Sequence, residues 1–241
     1  MLASVTMSAS PWPKTIPGLP PELEAKRQAW HHYWLTQYDE RYSFVTRFNE
    51  RFLESLQRRG SAETVLELGP GARSATPGLL SPGDAYYCCD EDPIFCEQLR
   101  GGLPEGRVAC GDIQKRTPYE DGFFDRVVAL HVLEHLPNLP AALREVLRIL
   151  KPDGHLDIVI PCEGSPLYTL GRHFSSARVF RKKFGSGFWK IMKVEHVNTA
   201  SEIVRELERA FSIERSQFFP VPVPAVGVRV NLLAAFRLRR L

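Results

Sequence analysis

No apolar run in the chain is long enough to cross a bilayer, and there is no internal repeat and no low-complexity tract. A membrane-spanning protein, a solenoid and a disordered tail are thereby set aside. Charge of one sign is not in excess: 31 Lys and Arg against 28 Asp and Glu leave a net +3. Composition alone therefore does not call for a nucleic-acid partner. Cysteine is sparse and odd in number, five residues at 88, 89, 96, 110 and 162, which excludes a disulfide-stapled scaffold. Cys88 and Cys89 are adjacent and point to opposite faces of an extended chain, which suits neither a zinc pair nor a simple bridge. The expectation is reduced, partly buried thiols in a cytoplasmic protein. Residues 1–14 lack the charged start and apolar core of a signal peptide. What is present, 241 residues with 44% hydrophobic and 24% charged, suffices for one large α/β domain or two small ones.

The chain begins with a proline-rich lead-in, residues 10–21, read as extended. A helix is expected from Pro21 to Gln37. A second, Tyr42 to Arg59, sets Phe44, Val45, Phe48, Phe52, Leu53 and Leu56 on one stripe and is stopped by Gly60. Residues 1–60 read as a helical lead-in and cover, and residues 61–241 as the main domain. From Glu63 short apolar runs alternate with helical periods, the pattern of a parallel sheet. The runs are 64–68, 85–89, 107–110, 124–130 and 155–160, and a helix at 139–151 ends at Lys151-Pro152-Asp153-Gly154. Thr199 with Glu202 three residues on reads as a capping box opening a helix to about Ala210. Two strands, 212–219 and 231–238, close the chain.

Residues 163–196 interrupt the alternation with seven Lys and Arg against two acids, interleaved with aromatics. The segment follows a strand's carboxyl end, where open α/β sheets bind ligands, and reads as a lid or substrate-binding insertion.

Val65 to Gly71 reads as a buried strand running into a glycine turn, where Gly69 and Gly71 let backbone approach a ligand. Asp90 ends the second strand and is placed to accept hydrogen bonds from ribose hydroxyls, which fits a dinucleotide or another adenosine cofactor. Glu67, just before the glycines, would repel a pyrophosphate but suits a cofactor bearing an ammonium and a sulfonium. Arg73 stands where a third glycine would, and the Pro- and Gly-rich stretch to Gly83 gives no phosphate-facing helix. Both features disfavour a dinucleotide.

These ordered motifs resemble those of the class I S-adenosylmethionine (SAM) dependent methyltransferases of the type 11 kind. Glu67-Leu68-Gly69-Pro70-Gly71 is similar to the family's first motif. Asp90 with Glu91 matches the ribose-holding acid, and Gly111-Asp112-Ile113 looks like the adenine-contacting motif. Residues 124–136 and 143–161 are similar to the family's fourth and fifth strand region. The resemblance implies a Rossmann-like, seven-stranded, mostly parallel α/β sheet with an antiparallel last strand and helices on both faces. It also implies SAM as cofactor, held by Glu67, Gly69, Gly71, Asp90, Glu91, Asp112, Ile113 and His131.

His131, Glu134 and His135 share a face if the chain turns helical after the fourth strand. His196 arrives at the end of the insertion. The plain reading has Glu134 and His135 bracing the chain beneath the cofactor. The alternative is a divalent metal site of His131, Glu134, His135 and His196. It resembles the Glu-x-x-Glu-His of small-RNA terminal 2′-O-methyltransferases and ubiquinone-pathway O-methyltransferases, with His131 in place of the first Glu. Without metal, His131, His196 and Glu195 are the candidate catalytic bases, and His173 reads as a solvated loop residue. Three functions follow: methyl transfer to a hydroxyl of a small or medium-sized metabolite, one with an anionic group included; metal-dependent RNA 2′-O-methylation; and SAM binding without catalysis. The modest pI of about 8.6 disfavours nucleic acid. A lipid acceptor is a further option, motivated by Phe218-Phe219 and the Arg237, Arg239, Arg240 tail.

Overall fold

The computed structural model of the protein describes residues 12–41, 43–56, 62–71 and 76–241. The start of the chain read for a signal peptide, the Tyr42 helix start, Gly60 and Arg73 lie outside the described residues.

Seven strands form one sheet: β1 (Thr64–Leu68), β2 (Ala85–Asp90), β3 (Val108–Cys110), β4 (Phe124–Leu130), β5 (Leu150–Pro161), β6 (Phe211–Phe219) and β7 (Leu233–Arg240). Their spatial order is β3-β2-β1-β4-β5-β7-β6. Strands β1 to β5 pair in parallel, and β7 inserts antiparallel between β5 and β6. The chain runs outward from β1 through β2 to β3, then crosses back to β4. The strand order thus reverses between β1 and β4, the place where such sheets form a ligand crevice.

Side-chain alternation splits the core between two faces. Leu66, Val127, Ala129, Leu156, Ile158 and Phe236 point to one face, covered by α4 (Leu139–Ile149) and α8 (Ala200–Leu207). Val65, Val128, Val159 and Ala235 point to the other, covered by Phe48, Phe52 and Leu53 of α2 (Ser43–Glu54). A strand buried on both faces has to be apolar throughout, which is why 64–68 and 124–130 read as continuous runs. The capping box at Thr199 is present: its hydroxyl takes the Glu202 N–H while the Glu202 carboxylate takes the Thr199 N–H.

Several boundaries differ from the sequence reading, α1 (Pro21–Arg41) for instance running on past Gln37, and the junction of α4 and β5 differs most in kind. The chain stops being helical at Ile149 and enters β5 at once, so Lys151 to Gly154 belong to the strand rather than to a loop. The register breaks between Phe124 and Arg126, and Gly154 sits where a Cβ would lie 3.1 Å from the Asp125 carbonyl. The Pro-Asp-Gly run thus serves a tight excursion inside the strand. A further helix, α3 (Pro93–Gly102), goes beyond the sequence reading, although its start is marked: Asp92 caps the Ile94 N–H, with Pro93 in the first turn.

The insertion folds as α5 (Pro166–Phe174), α6 (Ser176–Phe184) and α7 (Phe188–Glu195). Phe180, Phe188, Ile191 and Met192 enclose Trp30 of α1 (Pro21–Arg41) in a small core of their own, with Trp30 edge-on to Phe180 at 5.4 Å. Together these helices roof the carboxyl edge of the sheet. Of the insertion's aromatics, Phe180, Phe184 and Phe188 are packed inside this roof.

Arg237, read as part of a surface tail, instead joins a buried ion cluster. Asp157, fully buried, accepts from Arg126 Nε at 2.6 Å and from Arg237 Nε and Nη2 at 2.8 and 2.7 Å. Cys88, Cys89, Cys96 and Cys162 are buried free thiols, and burial pushes each up to about 12; Cys110 is free and exposed. No helix among the described residues is long and apolar enough to cross a membrane.

Candidate active site

The roof and the carboxyl edge of the sheet enclose a cavity of about 2210 Å³. Every residue that the sequence reading nominated for cofactor or catalysis lines it.

One end is built from the turns after β1, β2 and β3. Gly69 and Gly71 both take positive φ, +57° and +60°, a conformation that favours glycine. At Gly69 a Cβ would lie 2.9 Å from Val132 Cγ2, whereas at Gly71 it would meet nothing within 4 Å. The backbone at Gly71 is thus open to a ligand. Asp90, buried at the end of β2, receives the Gly71 N–H at 3.0 Å on one carboxylate oxygen and the Asp92 N–H at 2.9 Å on the other. Each oxygen keeps a lone pair for a further donor, such as a ribose hydroxyl. Glu91 beside it is held above the usual carboxylate range by partial burial and by the Asp112 and Asp90 charges. Asp112 is fixed by the Gln114 N–H and side-chain amide at 2.9 and 3.0 Å, and Gln114 in turn takes the Asn138 N–H at 2.7 Å. Ile113 is buried beside it. Glu67 is buried and accepts the Tyr86 hydroxyl. An open glycine backbone, a ribose-ready carboxylate, an apolar Ile113 and a further acid fit a cationic adenosine cofactor.

The segment after β4 forms a short 3-10 turn, Leu133–His135, rather than a full helix. His131 enters it in the left-handed region at φ +58°, a strained choice for a residue with a Cβ. Its N–H donates to the Val159 carbonyl and its Nε2 lies 3.3 Å from the Asn49 side-chain amide. Burial, with the His135 charge, lowers His131 to about 4, so its ring is neutral at pH 7. Glu134 is 1% exposed, and its Oε1 lies 3.9 Å from His131 Nδ1 and 3.8 Å from His135 Nε2. Its Oε2 has no hydrogen-bond partner among the described residues. Burial accordingly pushes this carboxyl above the usual range.

The other imidazoles differ in what their nitrogens touch. His196 Nε2 receives Arg172 Nη2 at 3.1 Å, while its Nδ1 faces Glu163 Oε2 at 3.0 Å. A guanidinium only donates, so the ring's lone pair is occupied, and burial beside Arg172 holds His196 well below its ordinary range. Glu195 is paired with Arg27 Nη1 of α1 at 2.8 Å. His135 is different. Its Nδ1 lies 2.7 Å from the Glu195 carbonyl, which only accepts, so Nδ1 carries the proton and Nε2 keeps its lone pair. His173 is exposed and lies outside the cavity, edge-on to Phe174, whereas His31 and His32 are exposed and line it.

His131, Glu134, His135 and His196 are thus neighbours without forming a ligand set. Among the described residues no group of three or more His, Cys, Asp and Glu is arranged to hold an ion. The reason is local: Arg172 and Glu163 claim His196, and the 3-10 turn leaves the Glu134 carboxyl apart from both rings. Asn49 and Arg172, which line this end of the cavity, and Glu163 behind them were not among the nominated residues. Each reaches its imidazole across a long stretch of chain, so no local pattern announced them.

Residues 66–158 match a family model described as a methyltransferase domain. The malonyl-[acyl-carrier protein] O-methyltransferase of Halorhodospira halophila is 32% identical over 124 residues, covering 49% of this chain and 42% of that protein. The demethylmenaquinone methyltransferase of Mycolicibacterium gilvum is 30% identical over 119 residues, covering 49% of this chain and 50% of that protein. The chain spans about half or less of the length of these curated relatives. An S-adenosylmethionine dependent methyltransferase from Mesorhizobium loti has the same fold at a TM-score of 0.54 and 15% identity, covering 79% of this chain and 96% of that one.

Proposed function

We propose that the chain carries a class I SAM-dependent methyltransferase domain and transfers the methyl group of SAM to a hydroxyl of a small or medium-sized metabolite, such as a sugar or specialised-metabolite scaffold, a reading supported by the matched methyltransferase-domain model and the shared fold. The observation that carries this reading is the open-mouthed cavity of about 2210 Å³, with the glycine turn and Asp90 at one end and imidazoles beside them under the helical roof. SAM, when bound, supplies a methyl already activated by its sulfonium. Asp90 and Glu91 would hold the ribose side, Asp112 and Ile113 the adenine side, and Glu67 with the Gly69–Gly71 backbone and His131 the methionine side.

What remains for the chain's own residues is to bind and orient the acceptor, exclude water and remove a proton. His135 takes that proton on Nε2. The Glu195 carbonyl holds the tautomer that makes Nε2 the acceptor, and the ion pair of Glu195 with Arg27 fixes that stretch of α7 against α1. His196 and Glu195, nominated from sequence as bases, serve in this reading as positioning residues, since Arg172 and Arg27 already occupy them. His131, neutral and held toward Asn49, orients the acceptor.

The test is methyl transfer from labelled SAM to a panel of hydroxylated metabolites, with the product's methyl located by NMR. Label on a small-molecule oxygen supports the reading. Label found only in RNA, protein or lipid overturns the acceptor class, and label on carbon or nitrogen overturns the hydroxyl.

A further inference from the structure

The cavity is electrically two-ended. The carboxylates that line it at the sheet edge are Glu67, Asp90, Glu91, Asp92, Asp112 and Glu134; Glu50 of α2 and Glu195, which is paired with Arg27, line it elsewhere. The roof contributes Arg178, Lys182 and Lys183, all exposed side chains on α6 that line the same cavity. Other cavity cations are already neutralised: Arg172 by Glu163 at 2.8 Å, and Arg27 by Glu24 and Glu195 at 2.7 and 2.8 Å. Among the described residues, Arg178, Lys182 and Lys183 have no carboxylate partner. Lys183 is instead held over the Tyr33 ring of α1 at 4.4 Å. Arg178 and Lys182 are one helical turn apart, a like-charge spacing that costs α6 stability unless an anion lies between them. Arg181, Lys190 and Lys193 of the same insertion do not line the cavity, so the inward set is distinct from the insertion's general basicity.

A guanidinium fork and two ammonium groups on one helix, lining one cavity without a carboxylate partner among the described residues, suit a phosphate group. We propose that Arg178, Lys182 and Lys183 form a phosphate-binding subsite for the acceptor, which is therefore a phosphorylated metabolite held with its anionic group against α6 and its reacting hydroxyl toward the imidazoles. The opposed charges of the two ends orient the two substrates: the sulfonium goes to the acidic end and the phosphate to the basic end. Phe174 of α5, 68% exposed and lining the cavity, offers apolar surface for the acceptor's body. The proposal rests on the reading of the acidic end as the cofactor's.

The experiment is calorimetric titration of the full chain with inorganic pyrophosphate, with and without saturating S-adenosylhomocysteine. Replacing Arg178, Lys182 and Lys183 together by Gln should weaken pyrophosphate binding by about tenfold or more, since charge-assisted hydrogen bonds are lost. Affinity for S-adenosylhomocysteine should stay unchanged, which also reports that the variant is folded. Replacing Arg181, Lys190 and Lys193 by Gln removes the same charge outside the cavity and should leave pyrophosphate affinity within about twofold. Pyrophosphate that does not bind the parent protein, or that is weakened equally by both triple variants, overturns the subsite. A single-stranded RNA that binds through Arg178, Lys182 and Lys183 where pyrophosphate does not would replace the metabolite with nucleic acid. Pyrophosphate binding without any affinity for S-adenosylhomocysteine would support the subsite and sink the cofactor reading.

Discussion

Glu134 is the residue whose replacement should be most informative. Its carboxyl is 1% exposed, its Oε2 lacks a partner among the described residues, and its nearest imidazole nitrogens stand 3.8 and 3.9 Å from Oε1. Burial raises its pKa above the unfolded value near 4.5. For a carboxyl shifted upward, the native state binds the proton more tightly than the unfolded chain. Its favourable contribution is therefore complete below the unfolded value and is lost as pH rises through the folded one. Once ionised at alkaline pH, the group is a buried, poorly compensated charge, costing about 1–3 kcal/mol on the scale of an unsatisfied buried polar group. Glu134→Gln keeps the shape and removes the charge. The variant should be more stable than the parent at pH 8 by about that amount, or about 2–4 °C per kcal/mol for a domain of this size. The advantage should shrink toward zero near pH 4.5, where the parent is itself protonated. His131 titrates in the opposite sense: held to about 4, it stabilises the fold above its ordinary value near 6.5 and loses that contribution as pH falls toward 4. That effect is common to both proteins and largely cancels in the comparison. Thermal unfolding of both at a series of pH values measures the difference. A Gln variant that is less stable at pH 8, or a gap that does not change with pH, would refute the assignment of Glu134 as a buried, uncompensated acid.

Other perturbations separate the remaining roles. Asp90→Ala removes the acceptor of the Gly71 and Asp92 N–H groups together with the ribose contact, and SAM affinity by calorimetry should fall by about 10- to 100-fold; undiminished affinity would mean the cofactor lies elsewhere. Asp157→Asn leaves two buried guanidinium groups poorly compensated between β4, β5 and β7, and urea unfolding should show a loss of about 3–5 kcal/mol. His135→Gln should lower turnover by about 10²-fold or more while leaving SAM affinity intact; a variant with parental turnover would return the proton to another base.

The layout of the sheet was legible because its causes are local. Strands β1 and β4 are mostly apolar at their buried positions, Glu67 and Arg126 apart, and the glycine and acidic turns sit directly after strands β1 to β3, so motif and position coincide. The start of β5 was not legible, since Lys-Pro-Asp-Gly carries every mark of a helix stop followed by a loop, and only the pairing of Leu150 with Phe124 shows otherwise. Ala177, Phe180 and Phe184 fall on one face of α6, a helix not anticipated inside the insertion, and their partner Trp30 is far away in the chain. The choice among imidazoles is wholly tertiary. Which nitrogen of His135 or His196 bears a proton depends on a carbonyl at 195 and a guanidinium at 172, and no spacing encodes that.

The small aromatic core around Trp30 has a consequence for assembly of the protein. Trp30 and Phe180 are about 150 residues apart in the chain, so their contact can form only late in synthesis. Until α6 and α7 leave the ribosome, α1 has nothing to shelter its indole. Strands β1 to β5 and the turns after them are synthesised before the roof, so the cavity's wall, rather than the crevice at the sheet edge, is the part that closes last.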